Sequence, residues 1–257
     1  MERYVTLWHG RTDSNEMKKV DFSFSALRRV IAGVLGCLVF AGIGFGEEPT
    51  IVEGPLLAEA QRQFREMKST GYQHKTEVDG KAQSYRYDCV GFVAYALKQA
   101  APQARASAFN ALEIAPGRIP SPPKYVAFFQ SLSKIPQQGW QAVNQAKDLM
   151  PGDVVAWEYK TARSSGHAVI IADVAKEEQD GMWVVKVYDS TSSPHGDDSR
   201  LQDLRAEVLA ASGNRSGLGH GKMAFSADPT TGAIIGYRWS PTSKTKITPI
   251  AAGRPRS

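Results

Sequence analysis

The hydrophobic pattern of this chain changes its period once, and that change limits the folds open to it. From Leu56 to about Lys68, Leu57, Ala60, Phe64 and Met67 share one helical face while Glu59, Arg62, Arg65 and Glu66 lie off it. Gly71 is expected to close this helix. A second helix is predicted from Cys89 to about Gln99, burying Val90, Val93, Ala94 and Leu97 and stopped by Pro102. Residues 72–86 read as polar and extended, and 101–123 as a proline-rich connection in which Pro120-Ser-Pro-Pro123 is neither helix nor central strand. A third helix is predicted from Tyr125 to about Leu132. Beyond it the pattern is that of strands. Leu149-Met-Pro-Gly-Asp153 is a turn feeding Val154 to Trp157, the apolar run from His167 to Val174 reads as a buried strand, and Trp183 to Tyr188 returns after the polar turn Lys176 to Gly181. Arg200 to Ala211 looks helical, and Gly232 to Trp239 reads as a closing strand. Helices followed by an antiparallel meander indicate an α+β domain.

The first 46 residues read as a secretory signal. Lys18, Lys19, Arg28 and Arg29 precede an uncharged apolar run from Val30 to Phe45, with small residues (Gly42, Gly44, Gly46) at its exit. Met17-Lys18-Lys19 makes the more ordinary signal start, so residues 1–16 read as an upstream extension. Sixteen residues are short for a membrane span, which takes about 20, and a retained N-terminal anchor is the alternative. The expected mature protein is therefore exported, to a periplasm, cell envelope or medium, with no integral span after processing. Residues 47–240 form one domain, with an insert at about 101–148, and 241–257 read as a basic disordered tail. Charge excludes a nucleic-acid partner. Residues 1–46 hold six Lys/Arg and four Asp/Glu, the tail holds four Lys/Arg and no acid, and the body between them has 21 basic against 22 acidic residues.

Cleavage near Gly46 removes Cys37 and leaves Cys89 as the only cysteine, so no internal disulfide forms. Cys89 stands where an apolar helix begins, and the partial positive charge of a helix N-terminus favours thiolate, the nucleophilic form. The competing reading is a buried structural cysteine. A cysteine nucleophile needs a base and a group that orients the base. His167, preceded by Gly166 and followed by a strand, is the expected base. If strands 167–174 and 183–189 pair around a turn at 175–182, paired positions sum to 356 and Asp189 stands opposite His167, with side chains on one face about 5 Å apart. A one-residue bulge would separate them. His195, in the loop Ser-Pro-His195-Gly, is the rival third member; His74 and His220 have no matching partner. Asp197-Asp198 beside His195 is the nearest approach to a metal motif, but with no HExxH and no cysteine pair neither metal nor cofactor is expected.

Three segments, Asp88-Cys89-Val90-Gly91-Phe92-Val93, Leu149-Met-Pro-Gly-Asp153-Val-Val-Ala-Trp157 and Gly166-His167-Ala-Val-Ile-Ile, resemble in order the signature blocks of the NlpC/P60 (papain-like, CHAP-related) cysteine peptidases. The resemblance implies a small antiparallel sheet packed on the helix that carries the cysteine at its N-terminus. It also implies a Cys–His pair with a polar third residue at the end of the next strand, and cleavage of amide bonds in peptidoglycan stem peptides. Tyr87 and Asp88 would then line the substrate pocket. The chain departs from the family pattern at Val90, where Ser is usual, in the length of the Cys89–His167 interval, and in Asp rather than His as third residue. No wall-binding repeat precedes the domain, and the insert is expected to cover or narrow the cleft. The reading at this stage is a monomeric thiol hydrolase, Cys89–His167–Asp189, acting on peptidoglycan. The alternatives are an amidase or acyltransferase on lipid or another small amide, and a non-catalytic binding module on the same scaffold.

Overall fold

A long antiparallel sheet with helices on one of its faces sets the position of every polar group discussed below. The computed structural model describes residues 54–159, 161, 164–178 and 181–256. The expected signal segment and its extension lie outside them. The helices are α1 (Pro55–Glu66), α2 (Cys89–Ala100), α3 (Pro102–Ala111) and α4 (Pro122–Ser131). A three-stranded sheet comprises β1 (Ser69–Gly71), β2 (Glu77–Asp79) and β3 (Ser84–Arg86). The large sheet contains β4 (Trp140–Val143), β5 (Val154–Glu158), β6 (Gly166–Ile171), β7 (Lys176–Glu177), β8 (Met182–Thr191), β9 (Glu207–Val208), β10 (Arg215–Ala227), β11 (Ile234–Arg238), β12 (Lys246–Ile247) and β13 (Ile250–Pro255). Its order is β12-β11-β10-β8-β6-β5-β13-β4, with β7 on β8 and β9 on β10. The class is α+β, as the change of period predicts.

Because strand side chains alternate, each strand serves two cores. Val154, Ala156, Ala168, Ile170, Tyr188 and Leu218 face the helices, packing with Leu57, Phe92, Val93, Leu97 and Phe129. Val155, Trp157, Val169, Ile171, Val187 and Phe225 face the other way into a second cluster with Tyr237.

Several local expectations change. The first helix ends at Glu66, and Gly71 belongs to β1. Proline ends α2 but also begins the next helix: Pro102 sits in the first turn of α3, and Pro122-Pro123 in the first turn of α4, where the missing N–H has no helical partner to lose. Residues 200–211 do not form a helix. Only a 3-10 turn at Ser199–Leu201 precedes β9, since Leu201, Leu204 and Val208 are 60, 84 and 52% exposed and offer no buried stripe to drive one. Residues 217–221, glycine-rich and without an assigned element in the sequence, lie within β10.

The largest correction concerns the C-terminus. Residues 241–257 are not a disordered tail: β13 lies between β5 and β4, pairing Ala252 with both Val155 and Val143. The domain therefore runs past 240. Arg254, which reads as part of a basic tail, donates through Nε to Asp153 Oδ1 at 2.6 Å and through Nη2 to Asp153 Oδ2 at 2.9 Å. Asp153 has a fully buried side chain and also accepts the Met150 N–H. The turn before β5 is thus closed by a residue about a hundred positions away. Ending the chain after Ser240 should abolish cooperative unfolding, because β5 loses its neighbour and Asp153 its cation. Arg254→Ala should cost about 2 kcal/mol. Urea unfolding followed by circular dichroism checks both, and a cooperative transition in the truncated chain would contradict the placement of β13.

Candidate active site

Asp88 begins the site. Its extended backbone caps α2, and its Oδ1 accepts the Gly91 N–H at 2.8 Å, which places Cys89 at the first helical position. The helix start is tied to the sheet by Ser190, whose hydroxyl donates to the Tyr87 carbonyl at 2.6 Å. Tyr87 itself does not line a pocket. It is fully buried and donates its hydroxyl to Gln63 Oε1 at 2.8 Å, so its role is to anchor α1 beneath the start of α2. Asp88 is mainly a cap, with Oδ2 3.3 Å from the exposed His74 ring.

His167 and Asp189 meet, though by a different register from the expected one. β6 and β8 pair Ile170 with Tyr188 and Ile171 with Val187, so paired positions sum to 358. The chain reverses later than the turn at 175–182 allows, because Lys176 and Glu177 already pair with Val184 and Trp183. A shift of two residues keeps the face, and Asp189 becomes a diagonal neighbour of His167. His167 Nε2 lies 2.7 Å from Asp189 Oδ2. The ring rests between the indoles of Trp157 and Trp239, each with its centroid 5.1 Å away. Gly166 has a φ of +154°, and a Cβ there would stand 2.0 Å from the Trp157 carbonyl oxygen and 2.7 Å from Pro122 Cβ. Only glycine allows His167 its entry into β6.

Cys89 lies on the helix face of the sheet and His167 on the other, and a gap in the ladder brings the sulfur to the strand. The Ile171 N–H points to β5 and the Ala172 N–H to β8, so by alternation the Ala168 N–H also points toward β8. There the pairing with β8 has already ended. The Ala168 N–H lies near enough to the Cys89 sulfur to favour its thiolate form. Among the hydrogen bonds of the described residues, none joins Cys89 to the His167 ring.

Burial raises the Cys89 thiol well above the ordinary cysteine value, and the charge of Asp88 adds to this. The Ala168 and Val90 N–H groups oppose it and do not overcome it. The helix-start argument therefore gives the wrong direction here. A helix terminus is worth about 0.3–1 kcal/mol, less than one pH unit, whereas full burial moves a group by about 3–5 units. His167 is lowered, first by burial and then by His195 and Arg200, against the opposing bond from Asp189. The resting pair is thiol and neutral imidazole. Asp189 lies well below the usual carboxylate range: burial works against ionisation, but Arg200, His195 and the bonds from both histidines outweigh it.

The rival third residue proves to be an additional one. His195 Nε2 is 2.8 Å from the same Asp189 Oδ2, and Arg200 Nη1 and Nη2 each donate to Asp189 Oδ1 at 2.9 Å. His167, Asp189 and His195 are the one trio of potential metal ligands among the described residues. Their geometry suits hydrogen bonds better than an ion, because a cation at Oδ2 would face the Arg200 guanidinium across the same carboxylate. Asp197 and Asp198 are engaged by Lys222 and Arg200 at 2.7 Å each. His220 points to the helix face, against Phe64 and Tyr188.

A cleft of about 490 Å³ opens over His167, with Tyr72, Tyr159, Thr191, Trp239 and Lys246 in its walls. None of its lining comes from residues 101–148, which instead cover the helix face through α4 and the sheet edge through β4, so the insert does not narrow this cleft. Tyr72 and Tyr159 are residues the sequence did not single out. Their hydroxyls are held protonated, by burial first, and both feel Cys89 and Asp189. No family model, no curated protein and no solved structure matches this chain.

The protonation states have a direct consequence. Cys89 should alkylate with iodoacetamide more slowly at pH 7.5 than free cysteine, and should show no thiolate absorbance at 240 nm near neutrality. An alkylation inflection below pH 7 would contradict the burial argument.

Proposed function

We propose that this protein is a thiol hydrolase that cleaves an amide bond, using Cys89 as nucleophile, His167 as general base and Asp189 as the group that orients His167. The observation that carries the reading is the buried 2.7 Å His167–Asp189 contact on the strand whose next N–H acts on the Cys89 sulfur. Asp189 accepts the hydrogen bond of the Nε2–H, so Nδ1 holds the lone pair that accepts a proton. Attack begins when the ring and the sulfur close to hydrogen-bond reach. Nδ1 takes the thiol proton as sulfur bonds to the carbonyl carbon. The backbone N–H of Cys89 and the Tyr72 hydroxyl, which lies in the cleft wall, are the donors assigned to the oxyanion. His167 then returns the proton to the leaving amine, and the thioester is hydrolysed by a water that His167 deprotonates in turn. A raised thiol is compatible with this sequence, since the base acts during attack rather than before it.

The substrate reading follows the resemblance to NlpC/P60 cysteine peptidases: stem peptides of peptidoglycan, met by an exported protein with the papain-like arrangement of helix-borne cysteine and sheet-borne histidine. An amidase or acyltransferase on a lipid or small amide uses the same chemistry and differs only in what fills the cleft. A binding module on this scaffold is the second reading, and the raised thiol is the observation that favours it. Against it stands the cluster around Asp189, since buried ionised groups are costly and bring nothing to a binding surface.

Hydrolysis of muropeptides and of lipid amides by the parent, Cys89→Ala and His167→Ala proteins separates the readings. The expected result is muropeptide cleavage that falls by at least about 10³-fold in each variant. Cys89→Ala should keep an unfolding midpoint close to the parent, whereas His167→Ala should lower it because Asp189 loses a buried donor. Activity in Cys89→Ala equal to the parent would overturn the mechanism, and turnover of lipid amides alone would move the substrate. For the parent, the acid limb of kcat/KM should lie below about pH 6.5, because His167 is active when unprotonated and its buried ring resists protonation.

A further inference from the structure

We infer that His195 is a positioning residue protonated on both ring nitrogens, the cation that closes a buried charge cluster around Asp189 and thereby keeps His167 neutral. This rests on the reading of His167 as the base and adds a group to it. His195 Nδ1 lies 3.0 Å from the Trp239 carbonyl oxygen and Nε2 lies 2.8 Å from Asp189 Oδ2. A carbonyl oxygen carries no proton, and Asp189 is ionised by two bonds from Arg200. Both ring nitrogens of His195 therefore face acceptors, and each must carry a proton. His167 is under no such demand, since its Nε2–H alone satisfies Asp189.

Charge counting gives the same assignment. The buried groups facing His195 are Asp189 from β8, His167 from β6, and Asp198 and Arg200 from the 3-10 turn. β10 places Gly221 against its Cβ, and Lys222 of β10 and Lys186 of β8 line the cleft on its outer side. The Asp197–Lys222 pair lies beyond, at the surface. Two carboxylates, one guanidinium and one imidazolium sum to zero with His167 neutral. With His195 uncharged the buried set is left at minus one, and the acceptor best placed to take the missing proton is His167. A protonated His167 cannot accept a proton from Cys89. The Trp239 ring, 4.1 Å from the His195 ring at 35°, lies where an aromatic face favours a cation.

The sequence around these groups is shaped to hold them. In Gly217-Leu-Gly-His-Gly221, alternate residues share one face of β10, the face on which Gly219 pairs with Asp189. A Cβ at Gly219 would stand 2.7 Å from Arg200 Cγ, and one at Gly221 would stand 2.8 Å from His195 Cβ. The glycines make a floor in the sheet deep enough for two long polar side chains. His195 is seated by its own N–H on Asp198 Oδ2 at 2.7 Å and by paired backbone bonds between Gly196 and Lys222.

The test uses the full chain and nitrogen NMR of the histidine rings, assigned through His167→Ala and His195→Gln. The parent should show His195 with both nitrogens protonated at pH 7.5 and His167 with one. In His195→Gln, the proton affinity of His167 should rise about tenfold or more, moving its NMR titration and the acid limb of kcat/KM to higher pH together. A neutral His195 in the parent at pH 7.5 would overturn the inference without need of any variant. So would a His195→Gln protein that is only less stable, with the His167 titration unmoved, since a purely structural role predicts that result. A parent that shows the expected ring protonation and hydrolyses no amide would support the charge assignment and remove the hydrolase reading.

Discussion

The rest of the site depends on one buried carboxylate. Asp189 has a fully buried side chain, and an ionised group there survives only if every lone pair is used. Oδ1 accepts both terminal nitrogens of Arg200, and Oδ2 accepts one nitrogen from each of two histidines. Each partner is then constrained in turn. Arg200 is also bonded by Asp198, which seats His195, and both side chains need the glycine face of β10 beneath them. His167 has its tautomer set by the same oxygen. A feature 30 to 32 residues away from Asp189, the alternate glycines Gly219 and Gly221 on β10, is thus part of what orients the base.

A second constraint is the incomplete ladder between β6 and β8. Full pairing to the end of β6 would have given the Ala168 N–H a strand carbonyl and closed the sheet between Cys89 and His167. Pairing stops at Ile170, and beyond it the Ala168 N–H acts on the Cys89 sulfur. Dense packing there raises the thiol and excludes water, while the neighbouring imidazole stays neutral. Both shifts lead to a mechanism in which the proton moves during attack and not to a standing ion pair.

Much of this was legible in the sequence for physical reasons that can be named. The apolar stripe of α2 and the continuous apolar run of β6 are short-range signals: α2 starts at Cys89 as expected, and β6 starts at Gly166 but ends at Ile171, three residues before the expected Val174. The pairing of His167 with Asp189 was reached by register counting even though the count was off by two, because side chains repeat every second residue and an even error preserves the face. Tyr87 misled because a tyrosine beside a cysteine looks like a pocket wall. Only tertiary contact with Gln63 shows where its hydroxyl goes. The basic composition of 241–257 suggested solvent, but a strand of Ile250, Ala251, Ala252 and Gly253 has little charge of its own, and Arg254 found a buried partner in Asp153.

By itself, then, the chain determined the class of fold, a cysteine at a helix start, and the histidine and aspartate that share a face, since all of these follow from local periodicity and spacing. Tertiary structure alone decided the rest. It inserted the C-terminal strand into the sheet, left the gap through which Cys89 reaches β6, and placed Arg200 and His195 on Asp189. It also decided that burial, not the helix terminus, sets the state of the thiol. The reason is the same throughout: desolvation and charge pairing depend on which distant segments exclude water, and no local pattern carries that information.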